Sequence, residues 1–247
     1  MKNYAVIQHT YSEFLGQIER QLEIRDIGFN YFRPFVGQDL PGSAIHFDAL
    51  FILGGSWPIN DENHCPWVES EKRVIRLFQS SKRPVVGIGF GALLIAEQAG
   101  VQVSDEPFHT AYWTTAHKTQ AGENDELANA VDGKRVLVMY NGACELLGDL
   151  EPIVVDDEGN WLAIKPNDLT YAMLFRPELK PGMLEDMIME AKRETPDNIS
   201  ELLAEARSEW LESQKTTDAI IIALVQSLEL MKDRRKAPVF KLNVEND

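Results

Sequence analysis

The chain has 247 residues, with 39 acidic against 24 basic side chains and a formal net charge of -15. Phosphate backbones and anionic membrane surfaces are bound by Lys and Arg, so that excess of acid argues against nucleic acid or a membrane surface as a principal partner. A hydrophobic content of 44% with 26% charge is ordinary for a soluble globular protein, and no apolar run approaches the roughly 20 residues of a membrane span. Two cysteines, Cys65 and Cys144, are too few for a disulfide framework, and MKNYAVIQHT lacks the long apolar core of a signal peptide. A reducing cytoplasm is the expected location.

In chain order, Tyr4 to Gln8 reads as a short strand buried on both faces, as in a parallel sheet. Ser12 is placed to cap a helix carrying Phe14, Leu15, Ile18 and Leu22 on one stripe, with Gly28 just past its end. Phe29 to Phe32 and Ala49 to Leu53 are the next strands. The second runs into Gly54, Gly55 and Ser56, a glycine pair that leaves backbone amides uncovered at a strand end. Pro66 falls where a helix should begin, followed by Trp67, Val74, Ile75 and Phe78 on one face.

The stretch Arg83 to Gly100, RPVVGIGFGALLIAEQAG, then combines an apolar strand, glycines spaced two apart and a buried helix. This is the pattern of a nucleophile elbow, whose tip residue normally carries the attacking side chain. Here the tip is Gly89, which has neither oxygen nor sulfur to offer.

Beyond Gly100, Val101 to Val103, Val136 to Tyr140, Ile153 to Asp156, Trp161 to Lys165 and Tyr171 to Phe175 are short runs between turns, suited to antiparallel additions at a sheet edge. Thr119 to Asn129 reads as a surface loop. Helices are expected over Met183 to Lys192, Ile199 to Glu212 and Thr217 to Met231, and a loose tail from Ala237. The pattern predicts one α/β domain over residues 1–190, an open and mostly parallel sheet with helices on both faces, with C-terminal helices over 191–236 packed on it and a tail over 237–247.

Three motifs, LFILGGS at Leu50 to Ser56, VVGIGFGALLIA at Val85 to Ala96 and YAMLFRPEL at Tyr171 to Leu179, occur in an order that resembles the class I glutamine amidotransferases. The resemblance covers roughly Tyr4 to Leu184. Around Asn60, Asp61, Pro66, Trp67 and Glu71 it is similar to amidotransferase domains that stand alone or resemble that of GMP synthase. It implies a flavodoxin-like fold and, in the family, an elbow cysteine attacking the glutamine side-chain amide, a histidine base and an orienting glutamate. Carried over, these positions are Gly89, Arg176 and Glu178, and the family's substrate-holding glutamine is Leu93. A guanidinium stays protonated at any workable pH and cannot act as the base.

What the resemblance leaves intact is backbone. The amides near Gly55 and Phe90 match the family's oxyanion hole, which needs donors rather than particular side chains. The expected function is therefore that of a pseudoenzyme with no intact catalytic residue. It would bind a small anionic or amino-acid ligand around Gly55, Ser56, Gly89, Phe90 and Arg176, or a partner protein, without a cofactor.

Two further functions stay open: an enzyme of the superfamily acting on glutamine or a γ-glutamyl compound with other residues, and a dinucleotide-binding protein. The latter rests on Gly87, Gly89 and Ala92 as G-x-G-x-x-A, with Asp105 further on. Arg176 and Glu178 read equally well as a surface ion pair. Cys65 and Cys144 lie off the elbow, and the five histidines, at 9, 46, 64, 109 and 117, show no ligand spacing, so no metal is expected. His9, at the end of the first strand, is the histidine placed to face the pocket rim.

Overall fold

The computed structural model describes residues 2–146, 150–190 and 198–234. Consecutive apolar residues build the strands β1 (Lys2–Ile7), β3 (Ala49–Ile52), β4 (Val85–Ile88) and β10 (Thr170–Met173); all four residues of β3, of β4 and of β10 are buried. Burial of both alternate sets of side chains requires cover on both faces of the sheet. With β2 (Ile27–Phe32) these strands lie side by side in the order β2-β1-β3-β4-β10, every pair parallel. Antiparallel β9 (Trp161–Asn167), β8 (Pro152–Val155) and β6 (His117–Lys118) extend the sheet to eight strands.

The crossovers carry α1 (Gln17–Glu23), α2 (Val68–Ser80) and α3 (Phe90–Gln98). α2 presents Val68, Val74, Ile75 and Phe78 inward, and α3 is buried from Phe90 to Ala96. Later come α4 (Glu126–Val131), α5 (Pro181–Glu190), α6 (Ile199–Ser208) and α7 (Trp210–Ser227). α7 packs against α1 and α4, so the chain's last described helix joins the layer formed by its first. Residues 191–197, the stretch from 235 onward and the end of the helix expected to reach Lys192 lie outside the described residues.

Several sequence expectations are corrected. Ser12 does not cap α1: it sits in a loop where its N–H donates to Glu190 Oε2 at 2.9 Å. The helix starts at Gln17, behind Gly16 with φ 51°, and Gln17 N–H donates to Glu178 O at 3.0 Å. Docking on the loop after β10 thus fixes this helix start, and Gly28 lies inside β2, paired with Asn3. Pro66 precedes α2 by two residues. Val101 to Val103 is not a strand; Val101 N–H closes the end of α3 on Ala96 O.

The run at 136–140 leaves the main sheet. It forms β7 (Arg135–Tyr140) and pairs with β5 (Thr110–Thr115) in a separate two-stranded sheet. Tyr171 to Phe175 is no edge addition, since β10 is the inner strand on which the parallel and antiparallel parts meet. The loop expected over 119–129 contains the start of α4, capped by Asp125, whose Oδ1 accepts from Leu127 and Ala128 N–H. A break at Ser208–Trp210 divides the helix expected over 199–212, and α7 begins seven residues before Thr217 and ends before Leu228 and Met231.

Candidate functional site

The carboxyl ends of β1, β3, β4, β7 and β10 converge, which is where open α/β sheets carry their sites. At the end of β4, Gly89 has φ 55° and ψ -108°, and its N–H donates to Met173 O at 2.8 Å. A side chain at such angles costs on the order of 1–3 kcal/mol. A β-carbon built on Gly89 would stand 3.1 Å from Met139 O, 3.3 Å from Arg176 Cδ and 3.6 Å from Arg176 Nε. The elbow tip and the residue after β10 therefore share one small space.

Arg176 and Glu178 do meet, but not on the surface. Both are buried, at 5% and 0% exposure. Arg176 Nε donates to Glu178 Oε1 at 2.6 Å, while Nη2 donates to Glu13 Oε1 at 2.9 Å. Glu13 comes from the loop after β1, where Thr10 Oγ1 donates to Glu13 Oε2 at 3.1 Å and accepts from Glu13 N–H. The guanidinium also lies against Gly54, where a β-carbon would collide with it. Burial lowers the affinity of Arg176 for its proton, and the charges of Glu178 and Glu13 more than offset that, so it stays cationic. Burial also raises the Glu178 pKa, only partly countered by Arg176, and Glu13 pushes it further up. Two carboxylates share one buried cation, so the cluster has no positive charge to spare.

A second buried pair lies beside the first. His9 Nε2 is 3.0 Å from Glu71 Oε1, and His9 Nδ1 is 2.7 Å from Gly54 O. Both partners are acceptors, so the ring holds both protons or shares one with Glu71. Burial disfavours the imidazolium, but the Glu71 carboxylate outweighs it and the His9 pKa is raised. The His9 ring packs at 4.4 Å on that of Phe90, which in turn approaches Gly55 so closely that a β-carbon there would be 3.0 Å from the ring.

Phe90 opens α3 and Ser56 is half-buried beside Gly55. Asn141 Nδ2, just after β7, donates to Gly55 O at 3.1 Å. Among the described residues, the N–H groups of Gly55, Ser56 and Phe90 have no protein acceptor. Asn141 Oδ1 is likewise buried without a partner. A buried acceptor left open in this way calls for an explanation.

The structure thus gathers all the predicted site residues, Gly55, Ser56, Gly89, Phe90, Arg176 and Glu178, at one end of the sheet. Sequence reasoning missed Glu13 and Asn141 and gave Glu71 no role. Glu71 had a signal: it falls on the apolar stripe of α2 between Trp67 and Val74. Leu93 is buried in α3. Cys65 is buried just before Pro66 and Cys144 lies off the elbow, its thiol pushed up to about 11 by burial. Asp105 follows no strand, so the acidic residue of a dinucleotide fingerprint is not at a strand end. Among the described residues no cluster of three or more His, Cys, Asp or Glu is arranged to hold a metal, and no helix is long and apolar enough to cross a membrane.

An open sheet of this order, with a twisted turn from β4 into α3, is the class I glutamine amidotransferase-like fold. Two solved structures share it: a glutamine amidotransferase from Thermotoga maritima (TM-score 0.77, 18% identity, covering 92% of this chain and 98% of the other), and one from Methylobacillus flagellatus (TM-score 0.80, 18% identity, covering 98% and 99%). In sequence the chain is 24% identical over 195 residues to the glutamine amidotransferase-like protein YfeJ of Salmonella typhimurium, covering 77% of this chain and 82% of the relative. No family model matches the chain.

Proposed function

We propose that this chain is a non-hydrolytic protein on the amidotransferase-like fold, which binds a small amino acid or carboxylate, or a partner protein, and does not cleave glutamine. The observation that carries this reading is the pairing of Gly89 with Arg176. Where a nucleophile would project there is a hydrogen atom, and the neighbouring space holds the side chain of a permanent cation already bonded to Glu178 and Glu13.

The pinned guanidinium narrows how a ligand is held. Its charge is balanced internally, so the open N–H groups of Gly55, Ser56 and Phe90 are the donors for a ligand oxygen, with Arg176 as the wall beside them. Titration calorimetry with glutamine, glutamate and small carboxylates tests this: saturable heat from one of them is expected, and none from any would remove the ligand reading and leave the partner protein.

The buried pair His9–Glu71, 3.0 Å apart beside the elbow, favours a second reading, an enzyme acting on glutamine or a γ-glutamyl compound with other residues. A histidine oriented by a carboxylate is the base-and-orienter half of a triad. Release of nitroaniline from a γ-glutamyl anilide that disappears in His9→Gln would select this reading.

A further inference from the structure

Two successive peptide groups at the end of β3 have their carbonyls held by side chains from elsewhere in the fold. Gly54 O faces His9 Nδ1 at 2.7 Å, and Gly55 O accepts from Asn141 Nδ2 at 3.1 Å. The N–H groups of those same peptides belong to Gly55 and Ser56 and, among the described residues, have no protein acceptor. Donation to a carbonyl oxygen draws charge from its amide and strengthens the N–H on the other side of the peptide plane. When the donor is charged the bond is roughly twice as strong as a neutral one.

We propose that His9, oriented by Glu71, and Asn141 are positioning residues that aim and polarise the Gly55 and Ser56 amides as donors to a ligand oxygen. The proposal rests on the reading of the amide cluster as a ligand site, and it adds the residues that give the cluster its direction and strength. The groups around the imidazole fit the role. Glu71 reaches it from α2, Glu13 contributes a second negative charge from the loop after β1, and the Phe90 ring covers it from α3. The His9 pKa is thereby raised and the ring is excluded from solvent, while the proton on Nδ1 points into the peptide rather than into the site.

Asn141 supplies the independent sign of a ligand. It is 8% exposed, its Nδ2 is committed to Gly55 O, and Oδ1 on the same planar amide is buried without a partner. The amide cannot turn over to satisfy Oδ1, because that would set oxygen against the Gly55 carbonyl oxygen. Asn141 thus leaves one buried acceptor open on the carbonyl edge of the peptide whose opposite edge carries the Ser56 N–H.

The experiment is NMR of the full chain with labelled histidine, glycine and serine, wild type against Glu71→Gln and Asn141→Leu. At neutral pH both His9 ring nitrogens are expected in the protonated range. In Glu71→Gln one loses its proton, and the Gly55 amide proton moves upfield with it; Asn141→Leu moves the Ser56 amide in the same sense. A bare ring nitrogen in the wild type, or a Gly55 amide unmoved when His9 deprotonates, overturns the proposal; should Glu71→Gln not fold, the wild-type ring nitrogens and Asn141→Leu still decide it. Calorimetry with L-glutamate separates the two claims. Saturable binding in the wild type, weakened roughly ten-fold in Glu71→Gln, supports both. Equal binding in the two removes the positioning role alone, and no heat from the wild type removes the ligand reading while the amide shifts still decide the positioning.

Discussion

Arg176 Cδ lies 3.3 Å from the point where a β-carbon on Gly89 would stand. These two positions are where the resemblance to amidotransferases places nucleophile and base, and they are coupled through shared volume. Gly89→Cys is therefore expected to destabilise the protein by about 1–3 kcal/mol through backbone strain, with added crowding against Met139 O and Arg176. Arg176→His in the same chain relieves the crowding, so the double variant loses less than the sum of the singles. Urea unfolding of the four proteins measures this, and strict additivity contradicts it.

Arg176 is the cation of a buried three-membered cluster with Glu13 and Glu178. Removing one partner of such a pair typically costs about 3–5 kcal/mol, because the remaining charge is left buried. Arg176→Met should lower stability by that order, and the loss should shrink as the solution is acidified and Glu178 takes up its proton. Replacing all three residues with apolar side chains should recover most of it. A wild-type unfolding free energy for Arg176→Met would place the pair at the surface, against the burial seen.

The pH dependence follows from the direction of each shift. Glu178 and His9 both have raised folded-state pKa values, Glu178 from burial and His9 from Glu71 against the opposing effect of burial. A raised folded pKa contributes stability that is present below the unfolded value and lost as pH rises through the folded one. Stability should thus fall from about pH 4.3 up to the raised folded value of Glu178, and again from about pH 6.5 up to that of His9, as the unfolded chain gives up protons that the folded one still holds. Burial raises the carboxyls of Asp61, which is half-buried, and Asp156, which is buried, but hydrogen bonds from His64 and from Asn160 and Tyr112 outweigh it and hold both low, so their contribution is lost only as pH falls below about 3.9. The stability optimum is expected on the acid side of neutrality, and Glu71→Gln should flatten the decline above pH 6.5. Urea midpoints between pH 4 and 9 test it, and a curve rising through pH 7 would reverse the assigned signs.

The parts of the fold legible in the sequence were those with local causes. The apolar runs of β1, β3 and β4 marked a parallel core, the glycines around Gly89 marked the sharp turn, and the stripe on α2 marked its buried face. Ser12 misled because its capping chemistry is local, while α1 starts where Gln17 meets the Glu178 carbonyl, 161 positions further along. α4 went unread although Asp125 is a good cap, since an acidic, glycine-containing stretch precedes it. At the site, Gly89, Arg176 and Glu178 were found through motif order. Glu13 was not, because its only signal is contact with a residue 163 positions away. Nothing near Asn141 in the sequence announces that it will hold the Gly55 carbonyl.

The most direct test of the central claim is ammonia release from glutamine by the purified full chain, measured before and after thiol alkylation. The account predicts no release above buffer in either case. Release that alkylation abolishes would mean that a cysteine acts as nucleophile after all and would contradict it.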